Sequence, residues 1–187
     1  MISVERTNRP GPRHAPPSQV ASRTMAKIGP LGVADLPAVI RLDARLTGRR
    51  KPAYWKALFE TFVAPHGSPA RVGLAARDGA RLTGYLLGEV RAFEFGSAPC
   101  GWIFAVGVAP EQAHRGIGSS LVAEAGGRFA RAGVATVRTM VRRDDVSMLA
   151  FFRSNGFVGG TFTQLELALE PRRPSPALTG HSIGMGA

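Results

Sequence analysis

Two glycines lie two positions apart in the stretch VGVAPEQAHRGIGSSLV, which covers residues 106–122. The pattern predicts a strand that ends in a sharp turn, with Gly116 and Gly118 at the start of a helix. The first turn of a helix has free backbone N–H groups and the positive end of the helix dipole. Because glycine has no side chain, a phosphate group can approach this backbone closely. Arg115 adds a positive charge with a planar set of donors, so the turn is predicted to hold a diphosphate.

Two common phosphate-binding motifs do not match this turn. A Walker loop requires Gly-Lys-Ser/Thr after its glycines, whereas Gly118 is followed by Ser119 and Ser120. A dinucleotide-binding turn requires a third glycine, where this chain has Leu121, and an acidic residue about 20 positions later. Arg138 lies near that distance and is basic. A plain tight turn without a ligand is the alternative interpretation.

The composition is that of one globular domain, with 187 residues, of which 44% are hydrophobic and 20% are charged. No apolar run approaches the roughly 18 residues of a membrane span, and the N-terminus has no apolar signal segment. Cys100 is the single cysteine, which excludes an intrachain disulfide and fits a reducing cytoplasm. We therefore expect a cytoplasmic protein without membrane contact, and no metal site is predicted.

The formal net charge is +11, which raises the local concentration of anionic ligands. Nucleic acid, a polyphosphate cofactor and acidic proteins would all benefit, and general solubility is the alternative explanation. No predicted helix has a stripe of Lys and Arg with interleaved aromatic residues, which argues against nucleic-acid binding.

The chain is predicted to have one folded part between two disordered ends. Residues 1–25 are rich in Pro and Arg and predict a disordered basic arm, for which a tether to nucleic acid or to an acidic partner is the alternative role. Residues 26–170 form the predicted domain. Residues 171–187 are rich in Pro, Gly and Ser and predict a disordered tail.

Within the domain, strands and helices are predicted in turn. The predicted strands cover residues 28–31, 72–77, 81–90, 102–108 and 134–141, with a last strand in which Leu165, Leu167 and Leu169 alternate with other residues. The predicted helices begin after Asp35, at Pro52, at Gly118 and after Asp144 or Asp145.

The order around the glycine turn is strand, helix, strand, which implies a parallel crossover with a ligand at the carboxyl end of the first strand. Gly107 lies inside that first strand, which indicates either a bulge or a close approach of another backbone. A bulge would leave backbone groups unpaired beside the phosphate site, where an extended amide-bearing ligand could bind them as an added strand does.

Two segments together resemble the GNAT superfamily, whose members are acetyl-coenzyme-A-dependent N-acyltransferases. The first is the strand and turn at residues 106–121, which is similar to the family loop Arg/Gln-x-x-Gly-x-Gly/Ala. The second is Asp145-x-x-Met148-x-x-Phe151-Phe152-x-x-Asn155-Gly156-Phe157, which is similar to the family's Asn-x-x-Ala-x-x-Leu-Tyr-x-x-x-Gly-Phe. The order of elements agrees over about residues 26–170.

The resemblance implies an α/β (α+β) fold with a mixed central β-sheet flanked by helices. In this fold the sheet is splayed between its fourth and fifth strands, and acetyl-CoA lies in the splay. The backbone of Val106, Gly107 and Val108 would bind the pantetheine arm. The diphosphate would be held by His114, Arg115, Gly116, Ile117, Gly118 and Ser119.

The sequence departs from the family pattern at three positions. Ala113 stands where the family loop has Arg or Gln, and Gln112 could substitute if the turn were shifted by one residue. Phe152, expected beside the cofactor, stands where many members have a Tyr that acts as general acid. Trp102 lies near the position of a glutamate that is the general base in many members.

Two carboxylates are the candidates for the missing base. Glu89 and Glu94 follow the apolar run at residues 85–87, on the strand that should adjoin the acetyl site. A base is needed because an amine with a pKa of about 10.4 is mostly protonated at neutral pH. Glu89 is preferred because it is closer to the centre of the strand, and surface carboxylates without a role are the alternative.

The sequence therefore predicts an N-acetyltransferase in which a primary amine attacks acetyl-CoA directly in a ternary complex. A protein lysine or N-terminal amine is slightly favoured as acceptor because residues 45–51 are basic, and a small-molecule amine is the close alternative. A non-catalytic acetyl-CoA sensor is a further alternative, because of Phe152 and Trp102. The oligomeric state is not predicted, with a dimer left open.

Overall fold

The computed structural model describes residues 26–63, 70–92 and 96–169. The predicted terminal arm, the predicted tail and Glu94 lie outside these residues. The described strands are β1 (Lys27–Pro30), β2 (Arg71–Asp78), β3 (Arg81–Arg91), β4 (Cys100–Val108) and β5 (Val137–Thr139). The described helices are α1 (Leu36–Thr47), α2 (Pro52–Phe62), α3 (Ile117–Arg131) and α4 (Val146–Ser154).

The strands form one mixed sheet in the order β1-β2-β3-β4-β5. The first four strands are antiparallel to their neighbours, and β5 is parallel to β4. A hairpin at Asp78 and Gly79 joins β2 to β3, with Gly79 at a φ of 59°. Because α3 connects β4 to β5, the chain must cross one face of the sheet before it can pair in parallel. The predicted mixed sheet flanked by helices is confirmed.

The first helix begins where the sequence predicts, and a glycine ends it. Asp35 precedes α1, although its carboxylate accepts from the Gly32 N–H at 2.7 Å and pairs with Arg77 rather than with the N–H groups of α1. Gly48 ends α1 at a φ of 70°, and its N–H donates to the Ala44 carbonyl at 2.9 Å. Glycine adopts this left-handed conformation without strain, which stops the helix here.

The helices cover both faces of the sheet, and burial of apolar side chains there is the main stabilising term. The face under α3 contains a core of buried residues that includes Leu74, Leu86, Ile103, Leu121 and Phe129. The opposite face lies under α1 and α2, with a second core that includes Val39, Leu42, Trp55, Tyr85 and Leu87. Among the described residues, no helix is long and apolar enough to cross a membrane.

The prediction is wrong for the last two strands of the sheet. β5 is much shorter than the predicted strand over residues 134–141, and residues 158–169 contain neither helix nor strand. Leu165, Leu167 and Leu169 are 89%, 84% and 82% exposed. Alternating leucines form a half-buried strand only beside a strand that accepts the pairing, and β5 offers only three residues.

Candidate active site

β4 consists of a paired half and an open half. In the paired half, Gly101, Trp102 and Ile103 are matched with β5. The pairing ends where the Thr139 hydroxyl donates to the Ile103 carbonyl at 2.9 Å. Beyond it, residues 104–108 have β3 on one side, and no described strand lies on the other. The sheet is therefore splayed here, because β5 no longer follows β4.

A β-bulge lies at the junction of the two halves. Leu87 is opposite Ala105 and Gly88 is opposite Ile103, so Phe104 is the extra residue on β4. A bulge bends its strand and increases the local twist, which helps the two halves to diverge. The sequence offers a bulge at Gly107 as one of two alternatives, and the bulge lies at Phe104 instead.

Gly107 is a glycine because its neighbours leave no room for a side chain. An added Cβ would lie 2.7 Å from the Tyr85 ring and 2.8 Å from Leu46 Cδ1. The sequence predicts a bulge or the close approach of another backbone at this position, whereas the groups that approach Gly107 are side chains.

The open half of β4 directs part of its backbone away from the sheet. The Ala109 N–H donates to the Thr83 carbonyl at 2.8 Å and so points toward β3. Because backbone groups alternate in direction along an extended chain, those of Val106 and Val108 point to the open side. An extended ligand with amide groups can bind there as a further strand would.

The glycine turn presents a run of free backbone donors. His114 and Gly116 have positive φ angles of 59° and 79°. The first helical bond of α3 is from the Ser120 N–H to the Gly116 carbonyl at 2.9 Å. Within the described part of the chain, the N–H groups of residues 114–119 have no hydrogen-bond acceptor. Free N–H groups at a helix N-terminus beside an exposed arginine, here Arg115, are an arrangement that can bind an anion.

Glycine is required at the two positions of the turn for different reasons. An added Cβ at Gly116 would meet nothing within 4 Å, so its φ of 79° is what requires glycine. An added Cβ at Gly118 would lie 2.8 Å from the Phe151 ring of α4. Gly118 therefore allows α4 to pack against α3, and only Gly116 leaves open space at its Cα.

The helix α4 begins beside this turn. Asp145 is the residue that caps it, since its Oδ1 accepts from the Met148 N–H at 2.9 Å. Asp144 pairs instead with the Arg142 guanidinium, which lowers the pKa of that carboxyl. Both aspartates line an open depression of about 490 Å³ that follows β5. The depression and the glycine turn both follow the carboxyl ends of parallel strands, where ligands bind in such sheets.

Phe152 is 5% exposed and packs with Phe151 and Phe157, with ring centroids 5.1 and 5.0 Å apart. Its ring belongs to the core under α3. A phenyl ring has no proton to donate, so this position supplies packing and no general acid.

Glu89 lies on β3 opposite Trp102, in the paired half of the sheet. Its Oε1 accepts from the Arg91 Nε at 3.0 Å, and its side chain is 28% exposed. Glu89 is thus close to the bulge, two positions along β4, or about 7 Å at the usual rise of a strand. The other candidate base, Glu94, cannot be placed because it lies outside the described residues.

Two charged groups that the sequence did not predict adjoin the open half of β4. Glu111 bridges α1 and β3 through Arg45, at 2.6 Å, and Arg81. The hydrogen bond from Arg45 is the main reason that the pKa of Glu111 falls to about 2. Asp43 on α1 is 4% exposed. An aspartate four positions after the buried Val39, on the apolar stripe of a helix, is the signal that could have found it.

The open half of β4 and the free N–H groups before α3 together offer a place for an extended ligand with an anionic end. The sequence model of the acetyltransferase (GNAT) family matches residues 36–157. The chain therefore belongs to this family and is an acetyl-CoA-dependent N-acetyltransferase, with acetyl-CoA as the acetyl donor. The fold expected from the two motifs is confirmed. No curated protein matches the sequence.

Solved structures show the same fold at low sequence identity. An aminoglycoside antibiotic 6'-N-acetyltransferase from Acinetobacter haemolyticus is 19% identical, with a TM-score of 0.65 over 77% of this chain and 99% of that one. A transcriptional regulator from Bacillus halodurans is also 19% identical, with a TM-score of 0.63 over 77% and 99%. The aminoglycoside N-acetyltransferase AAC(6')-Iy, solved with a bisubstrate analogue that contains CoA, is 14% identical, with a TM-score of 0.64 over 79% and 98%.

Proposed function

We propose that this protein transfers the acetyl group of acetyl-CoA to a primary amine of a small molecule, by direct attack of the amine in a ternary complex. The observation that carries the proposal is the run of free N–H groups at residues 114–119 beside the open half of β4. Several of the structurally similar proteins are aminoglycoside acetyltransferases, which agrees with a small amine as acceptor.

The donor would be held mainly by backbone. Val106 and Val108 would bind the pantetheine amides, with Gly107 keeping the strand against Tyr85. The diphosphate would be held by the backbone N–H groups of His114, Arg115, Gly116, Ile117, Gly118 and Ser119, with the guanidinium of Arg115 adding charge. Bound here, acetyl-CoA supplies a thioester whose carbonyl carbon accepts the amine nitrogen.

Glu89 is the proposed general base, acting on the acceptor amine through a water. Phe152 packs beside the cofactor site and leaves the departing thiolate without an acid from this position. A thiol with a pKa of about 8.5 is a tolerable leaving group, so water can protonate it.

A protein acceptor has less support from the structure than from the sequence. It was favoured because residues 45–51 are basic, but Arg45 is paired with Glu111 and Lys51 with Asp43. Arg49 and Arg50 are exposed, and they are the cations of this segment that form no ion pair among the described residues. The net charge of +11 then serves mainly to attract the anionic donor.

The test is an acceptor screen with the purified protein. Acetyl-CoA is incubated with single primary amines, among them an aminoglycoside, a linear diamine and a lysine peptide, and free CoA thiol is measured against reactions without amine. Turnover with a small amine and none with the peptide is expected. Turnover with the peptide alone would contradict the small-molecule acceptor, and the absence of heat on titration with acetyl-CoA would contradict the donor site.

A further inference from the structure

A buried carboxylate lies on the α1 and α2 face of the sheet, next to the open half of β4. Asp43 of α1 is 4% exposed. Its Oδ1 accepts from Lys51 Nζ at 3.3 Å and from the Tyr85 hydroxyl at 3.5 Å, and its Oδ2 lies 3.1 Å from Lys51 Nζ. Because a buried charge must be paired to be tolerated, the lysine ammonium is what keeps this carboxylate in place.

Two buried polar atoms in the cluster of Asp43, Lys51, Tyr85 and Trp55 receive or donate no hydrogen bond. Asp43 Oδ2 touches Lys51 but receives no hydrogen bond of acceptable geometry in the described structure, and the buried Trp55 Nε1 has no acceptor there. Buried polar atoms without a hydrogen-bond partner are rare in proteins, and a ligand or water usually explains them. The Trp55 donor is therefore available to a bound molecule, and Asp43 Oδ2 can accept a hydrogen bond once Lys51 moves away.

The cluster is directly connected to the strand proposed to hold the donor. Tyr85 of β3 is opposite Gly107 of β4, and its ring fills the space in which a side chain of Gly107 would lie. The Trp55 indole packs edge-on against the same ring, with centroids 5.1 Å apart. Burial, and then the charge of Asp43, raise the pKa of Tyr85, so its hydroxyl keeps its proton and remains a donor.

The present occupant of the cluster shows which chemistry it recognises. Lys51 Nζ is a primary ammonium held by both carboxylate oxygens, with the Tyr54 ring 5.5 Å away on a further side. A carboxylate and an aromatic ring are the usual partners of such a cation. The Lys51 side chain is 37% exposed and precedes α2 in the turn from α1, so it can leave without disturbing a helix.

We propose that Asp43 is a subsite for a primary ammonium group of the acceptor, which displaces Lys51 when the acceptor binds. The inference rests on the proposed function and specifies its substrate class. An ammonium beside a buried carboxylate keeps its proton, whereas the amine that attacks the thioester must lose one. The ammonium at Asp43 is therefore not the group that is acetylated, and the acceptor carries at least two amines.

Direct binding tests this subsite without depending on turnover. The probe is 1,5-diaminopentane, titrated by calorimetry into the full-length protein and into its K51M, K56M and D43N variants. K51M is expected to bind the diamine at least about tenfold more tightly than the wild type, because the internal competitor is gone. K56M removes a lysine that is 71% exposed and paired with Glu60, so it should bind as the wild type does.

D43N is expected to lose at least about tenfold in affinity for the diamine while its thermal unfolding stays cooperative. Equal affinities of the wild type and K51M, or no binding by either, would overturn the proposal even if D43N fails to fold. The second readout is kinetic: D43N should raise KM for 1,5-diaminopentane and leave KM for 1-aminopentane unchanged. Absence of turnover with every amine would contradict the proposed function and leave the binding result standing.

Discussion

The paired half of β4, residues 101–103, lies between β3 and β5, whereas the open half, residues 104–108, lies beside β3 alone. In the paired half the backbone groups form hydrogen bonds within the sheet, and side chains such as Ile103 are buried in the core. In the open half the same kind of backbone is left for a ligand. The proposed site therefore depends on a strand pairing that stops early, and on few special side chains.

The first test asks whether Glu89, which lies on β3 opposite the paired half of β4, acts as the general base. Glu89→Gln should lower kcat by about 100-fold at neutral pH, as expected when a general base is lost. The loss should shrink at high pH, because the acceptor amine then loses its proton to solvent. The measurement is kcat against pH with the best acceptor from the screen.

The control for Glu89→Gln is Glu60→Gln, which changes an exposed carboxylate on α2. It should leave the pH–rate profile of the wild type intact. If Glu89→Gln also leaves the profile unchanged, Glu89 has no part in proton transfer.

The second test breaks the anion site that follows the open half. Gly116→Val places a β-branched residue at a φ of 79°, which costs roughly 1–2 kcal/mol and turns the N–H groups of the turn. KM for acetyl-CoA should rise at least about tenfold, since 1.4 kcal/mol of lost binding is a factor of ten.

Gly133→Val is a matched control at the other end of α3. Gly133 has a φ of 84°, and an added Cβ there would meet nothing within 4 Å, as at Gly116. The two variants should lose similar stability, measured by thermal unfolding, and only Gly116→Val should change KM. A similar rise in KM for both would mean that the turn acts through stability and not through its N–H groups.

The third test weakens the pairing of β5 with β4 at the boundary between the two halves of β4. Thr139→Val removes the hydroxyl that donates to the Ile103 carbonyl and should cost about 1 kcal/mol. The amide of Gly101, which donates to the Thr136 carbonyl at 2.9 Å, should exchange with deuterium faster as β5 loosens. Thr47→Val removes a hydroxyl bond of the same length in α1 and should leave the exchange of Gly101 unchanged.

The sequence predicts the parts of this site that depend on local backbone preferences. The helix start at the turn of Gly116 and Gly118 follows from the conformations that glycine permits. At Gly107 the sequence predicts a bulge or the close approach of another backbone, whereas the neighbours are the Tyr85 and Leu46 side chains, and the bulge at Phe104 depends on the register of two strands. For Gly118 the sequence suggested room for a phosphate, whereas the cause is a ring from α4.

The sequence does not predict how far β5 continues along β4. The length of β5, and with it the open half of β4, is set by tertiary packing, because a run of β-branched residues is compatible with a longer strand. The exposed leucines after α4 show the same limit, since their alternation predicts a strand without naming its partner.

The smallest expected effect concerns the ion pairs of Glu111, which hold the end of the open half of β4. Glu111 follows β4 and joins it to α1 through Arg45 and to β3 through Arg81. The hydrogen bond from Arg45 lowers the pKa of Glu111 from 4.5 to about 2 in the folded protein. A lowered pKa in the folded state means that the pair stabilises the protein above pH 4.5 and loses this contribution as the pH falls toward 2. Because both partners are exposed, solvent screens the pair and the gain is small.

Glu111→Gln should therefore lower the unfolding temperature slightly at pH 7, and the difference from the wild type should close as the pH is lowered from 4.5 to about 2. Thermal unfolding followed by circular dichroism at several pH values in this range measures it. Glu60→Gln, at an exposed pair within α2, should show a pH-dependent difference no larger than the scatter. A difference for Glu111→Gln that stays constant with pH would mean that the charge of Glu111 does not hold the end of β4, and that the packing of Gly107 against Tyr85 and Leu46 is sufficient to place it.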